Sequence, residues 1–271
     1  NGRPTRLEVR PDAFGRLMIN PAVAAELGLK PPTRGSRNST GPGVLGNTGV
    51  HKVDFASGPG RKRIFWFNRN VSPVADGVIS PASLPYKRVT FRLQPAKEGE
   101  KIYNFPLDRK GLFGLGGVGT RIKFLEEKID IIFSLHRDEN LVAAPTGNWL
   151  AENFMGAFTG APKPILVYFD VEIPSRAMTL KQPLAVGELI LSKVTVQNGD
   201  FGNADEIVDA AELGSAEAAA GDRDEIVVIG KKKKDIKPRL IIGRAALQNC
   251  STLTYDFDKD EIRLSCLGSA I

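Results

Sequence analysis

The chain repeats a pattern of its own, and that repeat constrains the fold more than any other feature. "DGVISPASLPYKRVTFRL" (76–93) and "RLIIGRAALQNCSTLTYDF" (239–257) each read as a strand, a tight turn, a brief helix and another strand. Ile79 matches Ile242 and Leu84 matches Leu247 at one common offset. The segments upstream also echo: 6–29 and 128–156 each give a strand, an irregular loop and a short helix. Such self-similarity implies two similar halves, each built around its own copy of one unit. The glycine-rich "GLFGLGGVGT" (111–120) is the natural divide, so lobes are expected over 1–115 and 116–271.

Alternation of apolar and polar residues makes the halves β-structured. In "KIDIIFSL", Ile129, Ile131, Phe133 and Leu135 share a face, and "KRVTFRL" aligns Val89, Phe91 and Leu93. "PILVYFDVEI" reads as one strand carrying Ile165, Val167, Phe169, Val171 and Ile173 on a single side. Helical pieces are short: 20–29, 148–156 and 243–249. With 28 glycines and 18 prolines, the composition favours short strands and turns. The fold class expected is therefore all-β with a few small helices.

The two cysteines, Cys250 and Cys266, flank another alternating stretch with an acidic turn at its middle. Folding it as a hairpin at Asp258-Lys259 brings them opposite each other, and a cross-strand disulfide becomes geometrically reasonable. That would imply an oxidising compartment, the other reading being two reduced core thiols. A start at Asn1 rather than Met fits loss of a signal peptide. Two cysteines and two distant histidines, His51 and His136, are too few for a metal centre, and no cofactor is expected. The net charge of +6 includes a single dense run, Lys231–Lys234, in loop-like surroundings. That pattern reads as a solvated basic loop able to touch anionic lipid rather than as a nucleic-acid face.

On "INPAVAAELGL" and "RLIIGRAAL…STLTYDF", each half resembles a retropepsin-type lobe, and the whole resembles a bilobal, pepsin-like aspartic protease. The resemblance implies a strand entering Asp-Thr-Gly in each lobe, a short helix after it, and a threading strand that ends in glycine. Aligned this way, the catalytic triplets become Pro11-Asp12-Ala13 in the first lobe and Pro145-Thr146-Gly147 in the second. The chemistry of that family needs two carboxylates sharing one proton. Proline cannot titrate, and Asp12 stands one residue out of place and reads as a solvated loop acid. Asp76, before Gly77, is the other candidate acid but reads as a plain Asp-Gly turn, and Asp138 and Glu139 lie outside the second lobe's turn. The resemblance thus implies a scaffold without peptidase activity, a binding or accessory protein whose cleft holds an extended peptide. An active peptidase with an atypical acid arrangement and a structural envelope subunit are the alternatives.

"GLGGVG" (114–119) satisfies G-x-G-x-x-G, but "TRIKFLEEKIDIIF" after it reads as strand, where a dinucleotide site requires a helix. Between 201 and 237 the composition turns to Ala, Gly and charge, which predicts a long exposed insertion, at least partly disordered. Inside it, Asp224, Glu225, Ile226, Val227, Val228, Ile229, Gly230 and Lys231 resemble the TonB box of outer-membrane transporters, with Ile229 in place of Thr. Such a box adds a strand to a partner's sheet edge. The resemblance implies a TonB-type protein or TonB-dependent transporter as partner, in the periplasm or at the outer-membrane surface. A local hairpin guarded by its lysines is the other reading.

Overall fold

The computed structural model describes residues 2–13, 16–30, 38–39, 45–55, 57–112, 117–167, 169, 171–197 and 238–268. The chain first forms β1 (Leu7–Val9), β2 (Leu17–Ile19), helix α1 (Pro21–Glu26), β3 (Asn38–Ser39), β4 (Leu45–Phe55), β5 (Gly58–Phe67) and β6 (Gly77–Ile79). Next come β7 (Arg88–Arg92), β8 (Lys101–Pro106), β9 (Asp108–Leu112), β10 (Gly117–Phe124), β11 (Glu127–Phe133) and β12 (Leu141–Ala143). Helix α2 (Ala144–Phe154) leads to β13 (Gly156–Leu166), β14 (Glu172–Val186), β15 (Leu189–Gln197), β16 (Arg239–Ile242), β17 (Cys250–Asp256) and β18 (Glu261–Cys266). The protein is mostly β, as its alternating sequence requires.

Three sheets result. Six strands run in the order β1-β6-β2-β5-β4-β3, and eight in the order β13-β14-β15-β12-β16-β11-β10-β9. The internal repeat is plain in their topology. Strand β6 lies between β1 and β2, parallel to the first and antiparallel to the second. Strand β16 lies between β11 and β12 in the same two senses. The outer neighbours correspond as well, β2 pairing β5 in parallel and β12 pairing β15 in parallel. These threading strands are covered on both faces, so their residues are apolar without alternation: Val78 and Ile79 in one, Leu240, Ile241 and Ile242 in the other.

The third sheet, β7-β17-β18-β8, takes two strands from each side of the repeat. The two copies of the repeat are therefore tied together by backbone pairing, Val89 opposite Tyr255 and Phe105 opposite Ile262. Asp256, almost fully buried in β17, receives Arg88 and Arg263 at 2.9 and 3.0 Å and so clamps three strands by charge. Cys250 and Cys266 pair across β17 and β18 and form the disulfide expected from the hairpin pattern. The divide set at 115/116 lies outside the described residues, between β9 and β10, which pair antiparallel in the eight-stranded sheet. As expected, G-x-G-x-x-G leads into strand β10 rather than a helix.

One strand expectation fails. Residues 164–173 do not run straight: β13 ends at Leu166, β14 begins at Glu172, and Val167 N–H donates to Val171 C=O at 2.8 Å. Ile165 and Ile173 face each other across the hairpin, so the period-two pattern is symmetric about the reversal and gives no sign of it. At the tip Phe169 takes a left-handed backbone (φ 63°), uncommon for an aromatic residue. Its ring is buried against Phe67, 4.4 Å between centroids, within a cluster that includes Ala13, Met18, Phe65, Val71 and Val78 of the first half.

Packing around the threading strand leaves no room at its end. A β-carbon on Gly243 would lie 2.3 Å from the Asp138 carbonyl oxygen and 2.4 Å from that of Glu139. Both obstacles are backbone, which cannot swing aside as a side chain does. Gly243→Ala is therefore expected to lower unfolding free energy by about 1–3 kcal/mol or more, an overpacking cost. Urea denaturation checks this, and an unchanged midpoint would contradict the packing described.

Candidate functional site

The repeat brings two loops to the same place. After β1, Arg10 N–H donates to the Ile79 carbonyl at 3.0 Å, and after β11, Ser134 N–H donates to the Ile242 carbonyl at 2.8 Å. Arg10-Pro11-Asp12 and Ser134-Leu135-His136 thus hold equivalent positions in the two copies of the repeat, and the two loops meet. Each loop reaches the other in corresponding ways. Ser134 Oγ donates to Asp12 Oδ2 at 3.1 Å, while an Arg10 guanidinium N–H meets His136 Nε2. Between them, Asp12 Oδ2 and His136 Nδ1 lie 3.2 Å apart.

The contacts assign the imidazole protons. A guanidinium only donates, so His136 Nε2 must offer its lone pair to Arg10, and the ring proton sits on Nδ1. Nδ1–H then points at Asp12 Oδ2 and at Ser134 Oγ, 3.0 Å away. Arg10 Nε also approaches Asp12 Oδ1 at 3.4 Å, and Nη1 donates to the Val71 carbonyl. The Asp12 side chain is fully buried. Burial pushes its carboxyl up, but the His136 hydrogen bond, the Arg10 charge and the Ser134 hydroxyl together hold it below the usual carboxylate range. The buried Tyr255 phenol is pushed well up, first by burial and then by the Asp12 charge.

The geometry limits the chemistry. A nucleophilic relay needs the hydroxyl on one imidazole nitrogen and the carboxylate on the other. Here both crowd onto Nδ1, Arg10 occupies Nε2, and Ser134 has no exposed surface. A shared-proton dyad needs two acids, whereas the equivalent positions hold a carboxylate and an imidazole. Above the pair opens a cleft of about 610 Å³, reached by Arg10, His136 and Arg137. Its walls are Met18, Val71 and Val78 of the first half and residues 164–167, Phe169 and Glu172 of the second. Among the described residues no group of three or more His, Cys, Asp or Glu could hold a metal ion.

Pro11, Asp12 and Ala13 do occupy the turn after the first strand, where the alignment puts them. Asp12 is not a solvated loop acid, however, because its partners arrive from a loop more than a hundred residues away. Pro145, Thr146 and Gly147 are displaced from the equivalent turn. They form the first turn of α2, Pro145 opening that helix as Pro21 opens α1. Proline is pre-organised for that position, and the Thr146 hydroxyl is committed to the Arg239 N–H at 2.9 Å. The Thr-Gly pair imitates a catalytic triplet only in sequence. Asp224–Lys231 lie outside the described residues.

Sequence reasoning misses Ser134, His136 and Arg137: Ser134 falls inside "KIDIIFSL", read as strand, and His136 and Arg137 open "HRDEN", which reads as an exposed loop. The signal was present: matching Pro145 to Pro21, instead of to Pro11, sets His136 opposite Asp12. No protein-family model and no curated protein matches this sequence.

Asp12 sets an acid limb on stability. Its folded carboxyl lies below the ordinary 3.8, so its contribution is complete above that value and fades as pH falls through the lower one. Asp12→Ala removes one partner of a buried charge network and is expected to cost about 3–5 kcal/mol at neutral pH. Asp12→Asn is expected to lose stability at neutral pH and to converge on the parent in acid. Denaturation curves at neutral and acid pH test this, and a gap that does not narrow on acidification contradicts it.

Proposed function

We propose that this protein is a two-lobed, pepsin-like scaffold without peptidase activity, and that its inter-lobe cleft binds an extended peptide. What carries the reading is the pairing of Asp12 with His136 where that family sets two acids. The duplicated threading-strand topology and the sheet shared between the halves support the likeness. The closed contacts among Arg10, Asp12, Ser134 and His136 occupy the atoms of this pair that would take a proton from water. An extended peptide suits a cleft walled on one side by a hairpin arm that carries apolar side chains.

The cell envelope of a Gram-negative organism is the setting we assign. The disulfide favours an oxidising compartment, and the 201–237 insertion carries the box-like Asp224–Lys231. A TonB-type protein or TonB-dependent transporter is the partner proposed for that insertion. If so, deleting 201–237 abolishes its capture while leaving cleft binding intact; capture unchanged by the deletion removes the partner assignment.

Incubation with a diverse peptide pool between about pH 3 and pH 7, where carboxylates and imidazole titrate, tests the lack of peptidase activity. Intact peptides are expected throughout by mass spectrometry. Cleavage that disappears in Asp12→Asn would make the protein an active peptidase with an atypical acid arrangement.

A further inference from the structure

Arg137 is the group in the cleft whose chemistry is incomplete. It is 9% exposed, and its Nη1 donates to the Leu166 carbonyl at 3.1 Å. Its Nε–H is buried with no hydrogen-bond partner, and among the described residues no carboxylate forms an ion pair with it. A neutral carbonyl does not balance a desolvated guanidinium, which is unfavourable unless an anion faces it. The neighbouring cationic side chain differs: Arg10 is engaged by Asp12 and His136. Arg137 therefore keeps an unmet donor just behind the cleft that it lines.

The rest of the lining narrows the ligand. The exposed Glu139 and Glu172 also border the cleft, so a polyanion would meet repulsion beside the charge that attracts it. Phe169 and Met18 add apolar wall. We infer that the cleft takes a single carboxylate on an otherwise neutral or basic peptide, with Arg137 as its anchoring donor. The planar fork of arginine suits a carboxylate, which accepts two parallel N–H bonds. The inference rests on the cleft being the peptide site, and it names the group that site recognises.

The test uses the full chain and three pools of randomised tetrapeptides. One has free C-terminal carboxylates and no acidic side chains, one is the same pool as C-terminal amides, and one is amidated but contains a single Asp or Glu. Equilibrium dialysis with mass spectrometry measures retention. The free-acid pool is expected to bind about tenfold or more tightly than the neutral amides, the range of a charge-assisted hydrogen bond. Matching retention of the third pool assigns a side-chain carboxylate as a source, and its rejection assigns the chain terminus; both support the anchor. Equal retention of all three pools overturns the carboxylate inference while the cleft reading stands, and preference for the third pool alone assigns a side-chain carboxylate. Retention of none overturns both. Arg137→Gln is expected to erase the preference. Should that variant unfold, the Arg137 Nε–H resonance of the parent protein is followed instead: it is expected to shift with the free-acid pool, and no shift at saturation refutes the anchor.

Discussion

A carboxylate with no exposed surface joins the two halves of this protein, and much else follows from where it lies. Asp12 belongs to the first repeat, but Ser134 and His136, two of the groups that stabilise its charge, belong to the second. An ion taken out of water is tolerated only when its lone pairs are met. Separating the halves would strand that charge, so the loops are held at one spacing and orientation. The same constraint sets the floor of the cleft, because Arg10 and His136 serve both as partners in the network and as lining.

The backbone was far more legible than the site. Strand β11 and the helix after β2 follow directly from apolar spacing and from Pro21 at a helix start, and the cysteine hairpin from alternation about an acidic turn. The offset shared by Ile79 and Ile242 correctly announced two threading strands. What failed were features fixed by tertiary contact. The reversal near Phe169 hides because its flanking residues mirror one another, and Pro145-Thr146-Gly147 misleads because a helix start can be spelled like a turn. Asp12 reads as solvated because Ser134 and His136, which bury it together with Arg10, lie more than a hundred residues away in sequence. His136 is legible only through the match of the two helix-opening prolines, Pro21 and Pro145, which sets it opposite Asp12.

The sheet of β7, β17, β18 and β8 explains why the repeat does not separate into independent units. Its outer strands, β7 and β8, come from the first copy, and each pairs with an inner strand, β17 or β18, of the second. Glu100 adds to the tie by accepting hydroxyl hydrogen bonds from Ser251 and Ser265, beside the disulfide residues. Polar and covalent fastening is concentrated here, while the cleft side is held largely by the Asp12 network and by aromatic packing.

That aromatic packing sets a kinetic condition on the cleft. The β13–β14 arm belongs to one half but inserts Phe169 into the core of the other. Withdrawing such a ring into water costs roughly 2–3 kcal/mol. At that energy the arm stands detached only on the order of one per cent of the time. A bulky guest that must pass beneath the arm would therefore associate more slowly than diffusion permits, and would dissociate slowly once the ring had reseated over it.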